Sequence, residues 1–90
     1  MVDPDTEVLA LIGSKEGLVH LGNAFVDEGE YVLVPSIGYP AYSAAATLRN
    51  ANTWLMPTTP ENGYLADFSQ VPVKVLEKAK IMFLGYPNNP

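Results

Sequence analysis

An α/β fold with a mainly parallel sheet, in the order β-α-β-α-β-α-β, follows from how apolar residues are spaced along this chain. Short apolar runs closed by Gly, Pro or Asn read as strands. Between them lie stretches whose apolar residues recur at helical spacing. Strands that alternate with helices build βαβ units and a parallel sheet.

Taken in order, Glu7–Ile12 is a short apolar run closed by Gly13 and predicts a first buried strand. From Ser14 the period changes. Leu18, Leu21 and Phe25 form one row and Val19, Gly22 and Val26 its neighbour, so one face of a helix is apolar. Ser14 or Gly13 can cap its start, and Asp27-Glu28-Gly29 is expected to stop it. Tyr31–Pro35 predicts a second strand, ended by Pro35. A loop, Ser36 to Pro40, leads into an Ala-rich helix over Ala41–Leu48, with Pro40 tolerated in its first turn. Asn50 and Asn52 mark a turn, and Thr53–Met56 a third strand. Pro57 to Pro72 reads as a loop with a small hairpin around Tyr64, because Glu61-Asn62-Gly63 is a turn signal. Val73–Lys78 predicts a short helix and Ile81–Leu84 a fourth strand, before a turn-like end from Gly85 to Pro90. No repeat, low-complexity tract or second domain is evident.

Composition narrows the function. The 90 residues carry a net charge of −5, with 17% charged and 48% apolar residues, 8 Pro and no Cys. A chain without cysteine holds neither a disulfide framework nor a thiolate zinc site. His20 is the one histidine, so a multi-histidine metal site is excluded and no metal is expected. No apolar run approaches the ~18 residues of a membrane span. The start, Met1 to Asp5, is acidic and lacks the basic region of a secretory signal. Few basic residues and a negative charge argue against nucleic acid. The expectation is a cytoplasmic protein with neither membrane nor nucleic-acid partners.

Ligands of parallel α/β sheets bind outside the carboxyl ends of the strands. That rule selects three loops: Gly13-Ser14-Lys15, Ser36 to Pro40, and Gly85 to Pro90. In the first, the free N–H groups of a helix start favour an anion and Lys15 adds a full charge, which suits a phosphate. The alternative is a capping Ser14 with a solvated Lys15. In the second, Tyr39 between Gly38 and Pro40 offers a flat face for a ring, or covers its own loop. In the third, the asparagines of Pro87-Asn88-Asn89-Pro90 can donate to a ligand oxygen or satisfy nearby backbone. His20 reads as a packed or surface histidine. Glu28, Glu30, Glu61 and Asp67 show no paired-carboxylate spacing.

The loops in this order resemble the pyridoxal-phosphate aminotransferases of the aspartate aminotransferase superfamily (fold type I). The similarity is greatest to the branch that includes LL-diaminopimelate aminotransferase. It is carried by Ile12-Gly13-Ser14-Lys15-Glu16-Gly17, Val32-Leu33-Val34-Pro35, Gly38-Tyr39-Pro40-Ala41-Tyr42, Pro60-Glu61-Asn62-Gly63-Tyr64-Leu65 and Tyr86-Pro87-Asn88-Asn89-Pro90. The resemblance implies that Gly13, Ser14 and Lys15 hold the phosphate of pyridoxal 5'-phosphate. It implies that Tyr39 stacks on the cofactor ring and that Asn89 bonds the ring's phenolic oxygen. It also implies a homodimeric parent that moves an amino group from an amino acid to a 2-oxo acid.

Two departures shape the expectation. Ser36-Ile37 stands where the family often has Asp-Pro. The family also continues past the position of Pro90 with Thr-Gly, and then with the lysine that carries the cofactor, the acid beside its ring nitrogen and the substrate-gripping arginine. Lys74, Lys78, Lys80 and Arg49 are placed away from the strand-end loops. Residues 1–90 are therefore expected to form part of a larger three-layer cofactor-binding domain, without catalytic residues of their own and inactive alone. Two other readings remain: a free-standing α/β module for a phosphorylated ligand, and an excised folding unit with no ligand.

Overall fold

The structure, a computed structural model, describes residues 1–87. Its elements are α1 (Ser14–Phe25), β1 (Tyr31–Pro35), α2 (Ala41–Thr47), β2 (Asn52–Met56), α3 (Val73–Lys78) and β3 (Ala79–Met82). Short 3-10 turns occupy Pro60–Asn62 and Phe68–Gln70. The three strands form one parallel sheet in the order β2-β1-β3. The expected α/β class and parallel sheet are therefore present.

β1 is central because both of its faces are covered. Val32 and Val34 point to one side and meet Val26, Ala45, Ala46 and Phe83. Leu33 points to the other and meets Met56, Ala66, Val71 and Val75. Thus α1 and α2 cover one face, while α3 and the 57–72 segment cover the other. A strand buried on both faces reads as a continuous apolar run, as Tyr31–Pro35 does. β1 and β2 pair in register from Tyr31↔Asn52 to Pro35↔Met56. β3 pairs from Tyr31↔Ala79 to Leu33↔Met82, with a bulge between Tyr31 and Val32.

The first expected strand is not formed. Glu7–Ile12 makes no ladder, and Leu9 and Ile12 are 83% and 91% exposed. Apolarity marks a segment for burial, but a strand also needs a neighbouring edge to pair with. Here the segment lies beside α1, where Leu9 and Leu11 line a hollow with Leu18 and Leu21. The observed order is α-β-α-β-α-β. The last strand starts two residues before its expected position, because α3 passes into β3 at Ala79 without a loop. Its ladder is prolonged by the Phe83 N–H, which donates to the Leu33 carbonyl at 2.9 Å.

Helix ends also differ in detail. Gly13, not Ser14, is the N-cap of α1, and its φ of 90° with ψ of 150° is a conformation that favours glycine. α1 ends at Phe25, before Gly29. Gly29 instead takes φ 83° in the turn closed by the Glu30 N–H on the Asp27 carbonyl. Asn50, in the left-handed region at φ 57°, ends the helical path after α2. The Ala51 N–H then reaches back to the Ala46 carbonyl at 3.0 Å. The hairpin expected around Tyr64 is reduced to a single antiparallel bridge, Thr58↔Ala66. No helix among the described residues is long and apolar enough to cross a membrane.

Candidate functional site

The loop after β1 and the start of α1 meet. Pro40 adopts helical angles (φ −57°, ψ −26°) and starts α2, which places Tyr39 just before the first turn. Lys15 extends from the first turn of α1 and puts its Nζ 5.7 Å from the centre of the Tyr39 ring. An ammonium over an aromatic face at this range is attracted by the ring's quadrupole. Tyr39 is half-buried and Lys15 is exposed. No side chain caps α1 at Gly13, and a Cβ at Gly13 would meet nothing within 4 Å. A twelve-residue helix start thus opens on space, with a lysine and an aromatic ring beside it.

The aromatic contacts continue inward. The Tyr39 and Tyr42 rings meet edge to face, with centres 6.0 Å apart at 88°. Tyr42 stacks on Phe83 at 4.8 Å and 9°. Phe83 is buried and bonded to the central strand, so the aromatic row is anchored in the sheet. Tyr86, from the third loop, reaches elsewhere: its hydroxyl accepts the Ala66 N–H at 2.9 Å. Of the residues expected at the site, Lys15 and Tyr39 are brought together, Gly13 caps the same helix start, and Ser14 lines the hollow beside Leu9 and Leu11. Asn89 lies outside the described residues.

Sequence reasoning missed one pair. Ser36 Oγ donates to Thr58 Oγ1 at 3.1 Å and accepts the Thr58 N–H at 3.0 Å. Thr58 Oγ1 donates in turn to the Met56 carbonyl at 3.2 Å. These bonds tie the ends of β1 and β2 beneath the Tyr39 loop. Ser36 is one of the two positions that depart from the family pattern, and here its hydroxyl serves the sheet.

Several other titratable groups lie away from this corner. Arg49 donates through Nε to the Val26 carbonyl at 3.0 Å and pairs with Asp27 at 2.7 Å. Lys80 pairs with Glu30, just before β1 and so at the opposite end of the sheet. Lys74 and Lys78 line a hollow together with Tyr31, the first residue of β1. His20 is exposed, 3.9 Å from Glu16. Among the described residues no group of His, Asp and Glu is arranged to hold a metal. A hollow of about 520 Å³ lies between residues 9–11 and α1, lined by Leu9, Leu11, Leu18 and Leu21 together with Ser14 and His20.

Comparison with known proteins agrees with this architecture. Residues 1–90 match the family model described as aminotransferase class I and II. The chain belongs to that family. It is 49% identical over 89 residues to the LL-diaminopimelate aminotransferase of Dehalococcoides mccartyi, covering 99% of this chain and 23% of that protein. It is 47% identical to transaminase BacF of Bacillus subtilis, covering 99% of this chain and 22% of that protein. The structure of substrate-bound BacF superposes with a TM-score of 0.92, over 99% of this chain and 23% of the other. A probable N-succinyldiaminopimelate aminotransferase from Thermus thermophilus superposes with a TM-score of 0.87 at 44% identity, covering 99% and 24%. The chain thus spans about a quarter of the length of the relatives it matches.

Proposed function

We propose that this chain is part of the cofactor-binding large domain of an aminotransferase that moves an amino group from an amino acid to a 2-oxo acid. Family membership supports the activity class and implies pyridoxal phosphate as cofactor. The observation that carries the site is the meeting of Lys15 and Tyr39 at a helix start that no side chain caps. The residues suit the cofactor. Backbone N–H groups at the start of α1 favour a phosphate. Gly13 adds no bulk there, and Lys15 adds charge. Tyr39 supplies a flat face for the ring. Asn89 is assigned the hydrogen bond to the ring's phenolic oxygen. When bound, pyridoxal phosphate supplies an electron sink for bonds at the substrate's α-carbon. The role of residues 13–15, 39 and 89 is to hold and orient it. Relatives at 43–49% identity bear the name LL-diaminopimelate aminotransferase, so we assign LL-diaminopimelate as the amino-acid substrate. The parent is read as a cytoplasmic homodimer, on the resemblance alone.

The test uses the full-length protein that carries this chain. Titration with pyridoxal phosphate is expected to show tight binding. Lys15→Ala should weaken it about tenfold or more, since a charge-assisted hydrogen bond is worth roughly 1.5–3 kcal/mol. Tyr39→Ala should weaken it by a factor of about ten. Affinity unchanged in both variants rejects the site. Turnover with other amino acids but none with LL-diaminopimelate rejects the substrate and keeps the class.

A further inference from the structure

We propose that Tyr42 is a positioning residue of this site: it sets the tilt of the Tyr39 ring and locks that ring to the strand-end segment Phe83–Gly85. The inference rests on the reading that Tyr39 faces the cofactor ring.

The surroundings of Tyr42 carry it. Tyr42 lies in the first turn of α2, three residues after Tyr39, and its backbone N–H donates to the Tyr39 carbonyl at 3.1 Å. Its ring meets Tyr39 at 88° and lies parallel to Phe83 at 9°. Tyr42 therefore meets Tyr39 edge to face while one of its own faces is held by a buried residue bonded to β1. The far end of the ring meets Gly85. A Cβ on Gly85 would lie 2.8 Å from the Tyr42 hydroxyl but 3.9 Å from the ring carbon that bears it. Gly85 is not in the left-handed region, so its lack of a side chain answers to this hydroxyl rather than to backbone geometry. On the other side, a Cβ on Gly38 would lie 3.4 Å from Tyr42 Cδ2 and 3.1 Å from Pro35 Cγ. Tyr42 is thus wedged between the loop that presents Tyr39 and the segment that leads to Asn89. The Tyr39 ring takes its placement from it. Small displacements of groups that orient a reactant cost far more than their own contact energy.

The experiment uses the full-length protein with pyridoxal phosphate. Tyr42→Leu removes both ring contacts. It should weaken cofactor affinity about tenfold and shift the absorption maximum of the bound cofactor. Tyr42→Phe keeps the rings and should bind within about twofold of the native protein, with its spectrum unchanged. Gly85→Ala should lower both cofactor affinity and the melting temperature of the cofactor-free protein. Adding Tyr42→Phe removes the obstructing hydroxyl and should restore both, which is a non-additive cycle. Native affinity and spectrum in Tyr42→Leu overturn the proposal, and so do additive effects of Tyr42→Phe and Gly85→Ala. If Tyr42→Leu does not fold, the Tyr42→Phe and Gly85→Ala cycle decides alone. A native full-length protein that binds no pyridoxal phosphate overturns the functional reading beneath the proposal as well. The melting-temperature cycle, run without cofactor, separates the two failures.

Discussion

Gly22 shows how a single residue sets the spacing of two helices. It is buried in α1, and a Cβ there would lie 2.7 Å from the Ala45 Cα on α2. Helix propensity alone favours alanine over glycine by up to about 1 kcal/mol. The close approach reverses the sign. Gly22→Ala should destabilise the protein by about 2–3 kcal/mol, as overpacking does. Denaturant unfolding of the full-length protein checks this, and a stabilised variant would show that the helices can part at little cost. Asp67 is a different case. The Ser69 hydroxyl and then the Ser69 N–H hold its carboxyl below the usual carboxylate range. Asp3 is lowered likewise by the Asp5 N–H and the Thr6 hydroxyl. A lowered carboxylate stabilises the fold above its unfolded pKa, and that contribution fades as pH falls through the folded value. Any stability gap between native protein and Asp67→Ala should therefore be full above about pH 4–5 and close in more acid solution. A gap that widens in acid would contradict the assignment. Both groups are surface-exposed, so the gap is small.

Among the elements, β1 bears most of the packing. Its inner residues serve two separate clusters, and Leu33, 2% exposed, is the β1 residue at the centre of the second. Leu33→Ala should cost about 3–4 kcal/mol, measured as the shift in unfolding free energy. A loss below about 1 kcal/mol would mean that the second cluster collapses around the gap. β1, β2 and the three helices were all legible in sequence, since their spacing reflects the faces they bury. The missing first strand was not. Val8, Leu9, Leu11 and Ile12 look like any buried strand, yet strand formation depends on a partner edge that their own sequence does not describe. Helix ends were read less well, because Asn50 and Gly29 act through positive φ in turns whose geometry depends on the strand each turn must enter. The Ser36–Thr58 pair was invisible for a related reason. Its partners are 22 residues apart, and only the parallel pairing of β1 and β2 brings them together.

For the whole molecule, apolar exposure is the dominant property. Leu9, Ile12 and Phe25 stand open beside α1, as do the outer edges of β2 and β3 among the described residues. Unpaired edges and bare apolar surface favour association. As a separate 90-residue polypeptide the chain should self-associate and melt broadly, with no amino transfer. Sedimentation velocity and calorimetry check the first two expectations. A monodisperse, cooperatively melting monomer that binds a phosphorylated ligand would instead favour a free-standing module.

Local spacing was enough to specify the α/β class and the positions of most elements. Period two or period 3.6 is a property of neighbouring residues, and burial acts on it directly. The three loops after the apolar runs could likewise be named as candidates for a ligand site from the sequence. What needed the folded chain was adjacency: that Glu7–Ile12 lies against α1 rather than in the sheet, that Lys15 stands over Tyr39, and that Tyr42 bridges Tyr39 to Phe83 and Gly85. Contacts between residues distant in sequence depend on how layers stack and strands register, and no local pattern encodes them.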